Sequence, residues 1–190
     1  MLSPNALRAV LRSGRLWNLE TGQEYGRTIP WKEQFPPARF TPDGSGFLIL
    51  TQNSAQIFET SDGRPRWGAI SLPAYPDTVE FLAEGRVLMV ACRGEGVHLY
   101  ESATGRMIGT PLAHPERGLG LSTEAVFDEA SRLLLVYHTA MPAQAFPIRI
   151  WELGFLFERS EPGDLLRRAR RTTAVGVDER GEVEPLGTEP

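Results

Sequence analysis

The sequence predicts an all-β protein built from about four successive antiparallel sheets, each of four short strands. One plan recurs about every 41 or 42 residues: an aromatic residue closes a short strand, and a glycine follows five residues later. The copies are Trp17 with Gly22, Phe58 with Gly63, Tyr100 with Gly105, and Trp151 without the glycine. A repeat of this length matches one blade of a β-propeller, so we expect an open arc of about four blades, the first incomplete.

Composition agrees with many short strands joined by turns. The chain of 190 residues is 41% hydrophobic, and its 19 glycines and 15 prolines lie mostly between apolar runs. The net charge of −4 argues against a general nucleic-acid binder. A single cysteine, Cys92, excludes an internal disulfide. Neither a membrane span nor a secretory signal is evident, so we expect a cytoplasmic protein without a membrane partner.

Each unit repeats the same order of strands. The first strand ends in phenylalanine, at Phe40, Phe81 or Phe127, and a short polar turn follows. The second strand is a continuous apolar run, which indicates a strand covered on both faces. These runs are 47–50, 87–90 and 133–136. The third strand alternates between apolar and polar residues, and a weaker polar fourth strand follows the turn.

Two segments carry a resemblance to a known repeat. Residues 15–22 (RLWNLETG) and 97–105 (VHLYESATG) resemble the third strand and following turn of the WD40 repeat. The resemblance covers roughly residues 1–153, and it implies a propeller. The Trp-Asp pair of that family is replaced here by Trp17-Asn18, Phe58-Glu59, Tyr100-Glu101 and Trp151-Glu152. Its Gly-His pair is missing unless His114 stands in its place, so the hydrogen-bonded network of typical blades lacks its usual partners.

We divide the chain into a WD40-like part, residues 1–158, and a tail, residues 159–190. Residues 2–5 align with 40–43, so the chain is expected to start inside a blade whose first strand is absent. Residues 155–157 are a candidate fourth strand for the last blade.

The tail is expected to hold a helix over 162–172, capped by Ser160, and a small hairpin over 175–186. Such a tail resembles those that close WD40 arrays in large bacterial proteins. We interpret this helix as docked on the last blade, with the arginine-rich run 167–171 on its solvated face, rather than as a nucleic-acid patch.

A closed ring of seven blades would take roughly 290 residues at this period. Blade faces are therefore expected to stay uncovered at both ends of the arc. The favoured interpretation is a truncated piece of a longer array. The alternative is head-to-tail self-association into a homo-oligomer, because two such arcs would approximate one ring.

Strand parity predicts where a partner binds. In an antiparallel meander the connections after the second and fourth strands emerge at one end of the sheets. This set is long and varied here, as binding loops on a rigid scaffold often are, and comprises 29–37, 71–77, 111–123 and 138–147. Six candidate partner-binding residues lie in long connections at this end: Trp31, Phe35, Tyr75, His114, Met141 and Phe146. The alternative for each is a cap on the core. We predict a non-catalytic scaffold that binds a protein partner, or other domains of a longer parent chain, through these loops.

Signals for catalysis are weak. The three histidines lack metal-ligand spacing, and we predict no metal or cofactor. His98 lies on an alternating strand, where a surface histidine is ordinary. The alternative function is a propeller enzyme such as a glycoside hydrolase, with Glu80 and Glu124 as its paired inner-strand carboxylates.

Overall fold

The computed structural model describes residues 1–11, 13–29, 38–113, 121–139, 148–157, 174–177 and 183–185. In these residues the regular structure is β-strand apart from one 3₁₀ turn, and the strands form four antiparallel sheets. The all-β prediction is confirmed for this part of the chain. None of its helical structure is long and apolar enough to cross a membrane.

Each sheet is a meander in which neighbours in sequence are neighbours in space. Sheet 1 contains β1 (Arg8–Val10), β2 (Leu16–Asn18) and β3 (Gln23–Tyr25). Sheet 2 contains β4 (Ala38–Phe40), β5 (Gly46–Leu50), β6 (Ser54–Glu59) and β7 (Ile70–Ser71). Sheet 3 contains β8 (Pro76–Leu82), β9 (Val87–Cys92) and β10 (Gly96–Glu101). Sheet 4 contains β11 (Ser122–Asp128), β12 (Leu133–Thr139), β13 (Arg149–Glu152), β14 (Ala174–Val177) and β15 (Val183–Pro185).

Sheet 1 has three strands, as expected for an incomplete first unit, and sheet 2 has the predicted four, whereas sheets 3 and 4 depart from four with three and five strands. Beside β10 of sheet 3, a fourth strand is reduced to single bridges that join Met107 to Tyr100 and Leu112 to Val97. Between the bridges, Gly109 has a φ of 68° and Pro111 has no amide proton, so a regular ladder cannot form.

Sheet 1 begins with the same turn that joins the first two strands of sheet 2. Leu2 pairs with Ala9 as Phe40 pairs with Phe47. The Ser3 hydroxyl accepts the Arg8 amide at 2.9 Å, and the Thr41 hydroxyl accepts the Gly46 amide at 3.0 Å. Residues 2–5 thus occupy the place that 40–43 occupy in sheet 2.

The C-terminal hairpin belongs to the last sheet. β14 pairs with β15, and it also pairs with β13, so it takes the position of a fourth strand. The strand expected over 155–157 is wrong, since Gly154–Phe157 forms the 3₁₀ turn. Leu153 and Leu156 are both fully buried, and a spacing of three puts them on one side of a 3₁₀ turn but on opposite faces of a strand. The helix expected over 162–172 and its arginine run lie outside the described residues.

Three apolar clusters lie between consecutive sheets. One joins sheets 1 and 2 around Phe47, the next joins sheets 2 and 3 around Leu88, and the last joins sheets 3 and 4 around Leu134. Every residue of β5 and β9 is buried, which confirms the prediction of two covered faces for these strands. The third apolar run differs, because side chains of β12 alternate between buried and more exposed positions.

Repeated contacts fix how the sheets stack. The Tyr25 hydroxyl donates to the Thr60 carbonyl at 2.8 Å, and 42 residues later the Trp67 indole donates to the Ser102 carbonyl at 3.0 Å. Each donor follows the turn of one sheet, and each acceptor lies in the corresponding turn of the next. These equivalent hydrogen bonds show that sheet 1 packs on sheet 2 in the same way as sheet 2 packs on sheet 3.

Candidate functional site

The sheets have two ends with different structures. We call the end where β8 and β11 begin the loop end, and the end with the tight turns 83–86 and 129–132 the turn end. Of the six predicted partner-binding residues, Tyr75 is at the loop end just before β8. The other five lie outside the described residues: Trp31, Phe35, His114, Met141 and Phe146.

Tyr75 is an exposed aromatic side chain held by a cation. Its relative exposure is 43%, and the Arg93 guanidinium carbon lies 5.0 Å from its ring centroid. The Arg93 amide also donates to the Tyr75 carbonyl at 2.8 Å. The connection before β8 and the β9–β10 loop are therefore tied together around the ring.

Asp77 anchors this arginine. The Arg93 Nε donates to Asp77 Oδ1 at 3.0 Å, and this hydrogen bond raises the pKa of Arg93. The Asp77 side chain is only 5% exposed, and its second oxygen accepts the Thr123 amide of sheet 4 at 2.9 Å. The pairing of β8 with β9 shifts register between Pro76 and Thr78, and such a bulge redirects a side chain. The carboxylate therefore bridges two sheets and positions Arg93.

Thr123 extends the same network into the core. Its hydroxyl accepts the Gly94 amide at 3.0 Å and lies 3.2 Å from Nδ1 of His138. Thr123 has no exposed surface and His138 has 3%. The hydrogen bond from Gly94 to Thr123 thus joins sheet 3 to sheet 4, and the contact with His138 lies within sheet 4.

Three of the four repeat aromatics pack in the apolar clusters between sheets: Phe58, Tyr100 and Trp151. Phe58 and Tyr100 are buried, and burial raises the pKa of Tyr100 to about 12. Trp17 and Trp151 are partly exposed, and their indole Nε1 atoms are buried without a hydrogen-bond partner among the described residues.

Glu80 and Glu124, the paired carboxylates of the alternative function, lie on β8 and β11, the first strands of sheets 3 and 4. Glu124 accepts a hydrogen bond from the Thr78 hydroxyl at 3.2 Å. Glu80 instead lines a cleft of about 230 Å³ near the turn end, together with Phe127 and Glu129.

A second cleft at the turn end, of about 410 Å³, is lined by Glu84, Arg86, Glu129, Arg132 and Phe157. Its cations already have partners. The Arg132 guanidinium lies 3.6 Å from the Phe157 ring centroid, and Arg86 Nη2 donates to the Leu156 carbonyl at 3.2 Å. These contacts hold the 3₁₀ turn against sheets 3 and 4.

Neither thiol chemistry nor a metal site emerges from the described residues. Cys92 is fully buried, and burial raises the pKa of its thiol to about 12, so it stays protonated at neutral pH. No group of three or more His, Cys, Asp or Glu side chains in this part of the chain is arranged to hold a metal ion.

His98 is buried, contrary to the surface position expected from the alternating strand. It is 7% exposed because five of the six residues of β10 are covered by the neighbouring sheets. Its ring stacks on Tyr100 with centroids 6.4 Å apart, and its Nε2 has no hydrogen-bond partner among the described residues. Burial lowers the pKa of His98, and the nearby Glu95 carboxylate opposes this only in part.

We expect His98 to make the protein less stable in mild acid. Around and below the ordinary pKa of 6.5, the unfolded chain binds a proton at this imidazole more readily than the folded chain does, so stability falls with falling pH. Chemical denaturation across this range should show a smaller loss for His98→Leu than for the wild type. An identical pH dependence in both proteins would contradict this role.

Sequence reasoning missed Asp77, Arg93 and Thr123. Asp77 and Arg93 flank apolar strands, where charged residues are common and carry no special signal. The contact from Asp77 to Thr123 spans 46 residues and depends on how sheet 4 packs on sheet 3. A local pattern does not contain that information.

Comparisons with known proteins bear on the fold alone. No model of a protein family matches the sequence, and no curated protein is found as a relative. Among solved structures, the chain is similar to the computationally designed Ika8 protein, with a TM-score of 0.54 and 10% identity. The similarity covers 94% of this chain and 54% of the designed chain, so this chain spans about half the length of that protein. The fold thus defines a protein of stacked antiparallel sheets.

Proposed function

We propose that this chain is an open arc of WD40-type β-propeller blades and a non-catalytic scaffold whose loop end binds a protein partner. The blade assignment is supported by four meandering sheets, by apolar clusters between consecutive sheets, and by equivalent hydrogen bonds about 42 residues apart. The cytoplasmic location and the resemblance to bacterial WD40 proteins remain predictions from the sequence.

The exposed and positioned ring of Tyr75 carries the binding proposal. Aromatic side chains that are ordered before binding make strong interface anchors, because little conformational entropy is lost on contact. Here Arg93 orders the ring, Asp77 orders Arg93, and sheet 4 orders Asp77. Rigid strands thus support an aromatic contact residue at the end where the long connections lie.

Replacing Tyr75 with alanine is expected to weaken partner binding by at least about 10-fold, since loss of an aromatic anchor typically costs more than about 1.4 kcal/mol. Peptides selected from a random display library against this chain provide a probe, and calorimetry measures their affinity for wild type and variant. The Tyr75→Ala protein should keep its fold, because the side chain is largely exposed.

Met107→Ala is a matched control. Met107 is 44% exposed, similar to Tyr75, and lies beside sheet 3 away from the loop end. Peptide affinity should be unchanged in this variant. Selected peptides that bind Tyr75→Ala as tightly as the wild type would contradict the proposed site.

A further inference from the structure

The first sheet presents an apolar face that no other described sheet covers. Val10 and Leu16 of sheet 1 pack toward sheet 2, so Ala9 and its partner Trp17 point the other way. Leucines surround this pair, and the Leu19 amide bonds to the Leu7 carbonyl at 3.0 Å. We call this surface the leading face; its leucines are Leu2, Leu7, Leu11 and Leu19, exposed by 61%, 44%, 42% and 44%.

The last sheet presents a second such face on its opposite side. Leu134 and Val136 of β12 pack toward sheet 3, whereas Val126, Leu135 and Ile150 form a row across the outer side of sheet 4. Val126 is 54% exposed and Leu133, on the same side, is 38% exposed. We call this the trailing face. Six of the eight exposed large hydrophobic side chains in the described residues lie on these two faces.

Each exposed face corresponds to one side of the interface between sheets 3 and 4. The row Val126, Leu135 and Ile150 has the register of Glu80, Met89 and Leu99, and the last two of these are buried against sheet 4. On the leading face, the row Leu2, Ala9 and Trp17 has the register of Phe127, Leu134 and Trp151, the row of sheet 4 that receives sheet 3.

The run 133–136 indicates that the trailing face is suited to packing against another sheet. Its sequence is apolar at every position, as in β5 and β9, which are covered on both sides. No other sheet of the described residues covers the second side of β12, so this apolar strand packs against one neighbouring sheet where β5 and β9 each pack against two. The leading face is also apolar, and in the described residues of one chain its leucines remain exposed rather than packed on the trailing face.

We infer that two copies of this chain associate head to tail, the trailing face of each on the leading face of the other. This contact continues the stacking that already joins sheets 1 to 4. A heterologous contact that closes after two copies gives a two-fold ring of eight sheets, within the four to eight blades usual for propellers.

The mass in solution tests this inference. Sedimentation equilibrium of the 190-residue chain at micromolar concentration should give twice the 21.1 kDa of one chain. Leu19→Arg blocks the leading face and Val126→Arg blocks the trailing face, each at an exposed position that tolerates arginine in the monomer. Each variant alone should have a dissociation constant raised at least about 100-fold, because association would bury an unpaired charge.

Mixing the two variants distinguishes this contact from other pairings. Leu19→Arg keeps its trailing face and Val126→Arg keeps its leading face, so together they should form a one-to-one complex. Met107→Arg, equally exposed but on neither face, should remain dimeric. A monomeric wild type, an open polymer, a dimeric Val126→Arg protein or a mixture without a complex would each overturn the inference.

Loop-end binding and self-association are separable. The association depends on the stacking of the sheets and not on Tyr75. The Tyr75→Ala variant should therefore lose peptide binding and keep the dimer, and the Val126→Arg variant should do the reverse. A failure of either proposal can thus be recognised independently.

Discussion

Replacing Phe47 with alanine is expected to lower the free energy of unfolding by about 4 kcal/mol, the range typical of a buried phenylalanine truncation. Phe47 has no exposed surface, and its ring lies between Phe40 and Phe58, with centroids 5.8 and 5.7 Å away. Alanine would leave a cavity between sheets 1 and 2 that these large rings cannot fill. Urea denaturation followed by fluorescence and circular dichroism measures the loss.

Two controls make this result specific. Phe47→Leu keeps most of the volume and should cost less than about 2 kcal/mol. Tyr75→Ala removes an aromatic side chain that is 43% exposed and should cost less than about 1 kcal/mol. A loss below about 1 kcal/mol for Phe47→Ala would mean that sheets 1 and 2 do not pack around this ring.

Gly63→Ala is expected to cost about 3 kcal/mol, through two separate effects. Gly63 has a φ of +74°, which an alanine adopts at a cost of about 1 kcal/mol. A Cβ there would also lie 2.8 Å from the Arg27 carbonyl oxygen and 3.0 Å from the Leu16 methyl carbon, both in sheet 1 or the segment after it. The backbone must shift to relieve this overlap, which weakens the contact between the sheets.

Gly22→Ala separates the two effects. Gly22 occupies the same turn position with a φ of +67°, but a Cβ there has no atom within 4 Å. This variant should therefore lose only about 1 kcal/mol from its backbone conformation. The difference between the two variants in the same denaturation assay measures the close approach of sheet 1 to the turn of sheet 2. Equal losses would show that the approach is absent.

The periodic features of the chain could be predicted because each depends on residues close in sequence. Apolar runs over 47–50 and 87–90 indicate strands with two covered faces, and both are buried throughout. The glycine after each strand marks a turn of positive φ, found at Gly22, Gly63 and Gly105. Strand parity also placed Tyr75 at the loop end, in a connection that the structure describes.

Other features could not be predicted from local patterns. His98 alternates with apolar neighbours, and only the packing of sheet 2 on sheet 3 decides that its polar-looking face is buried. Residues 155–157 are apolar, as in a strand. They form a 3₁₀ turn instead, which lets both Leu153 and Leu156 enter the apolar cluster between sheets 3 and 4. The hairpin strand β14 completes sheet 4 through pairing with β13, although more than 20 residues separate them.

The amino-acid sequence by itself determined the repeating sheet, because hydrophobic period and turn residues act over a few bonds. Only the tertiary structure decided which side chains meet between sheets. Asp77 contacts Thr123 because sheet 4 packs on sheet 3 at this end of the strands, and Asp77 in turn positions Arg93 and Tyr75. The same stacking covers both faces of β9 and leaves one face of β12 open. An apolar run indicates that a strand can be buried. Which sheet covers it depends on how the sheets pack together.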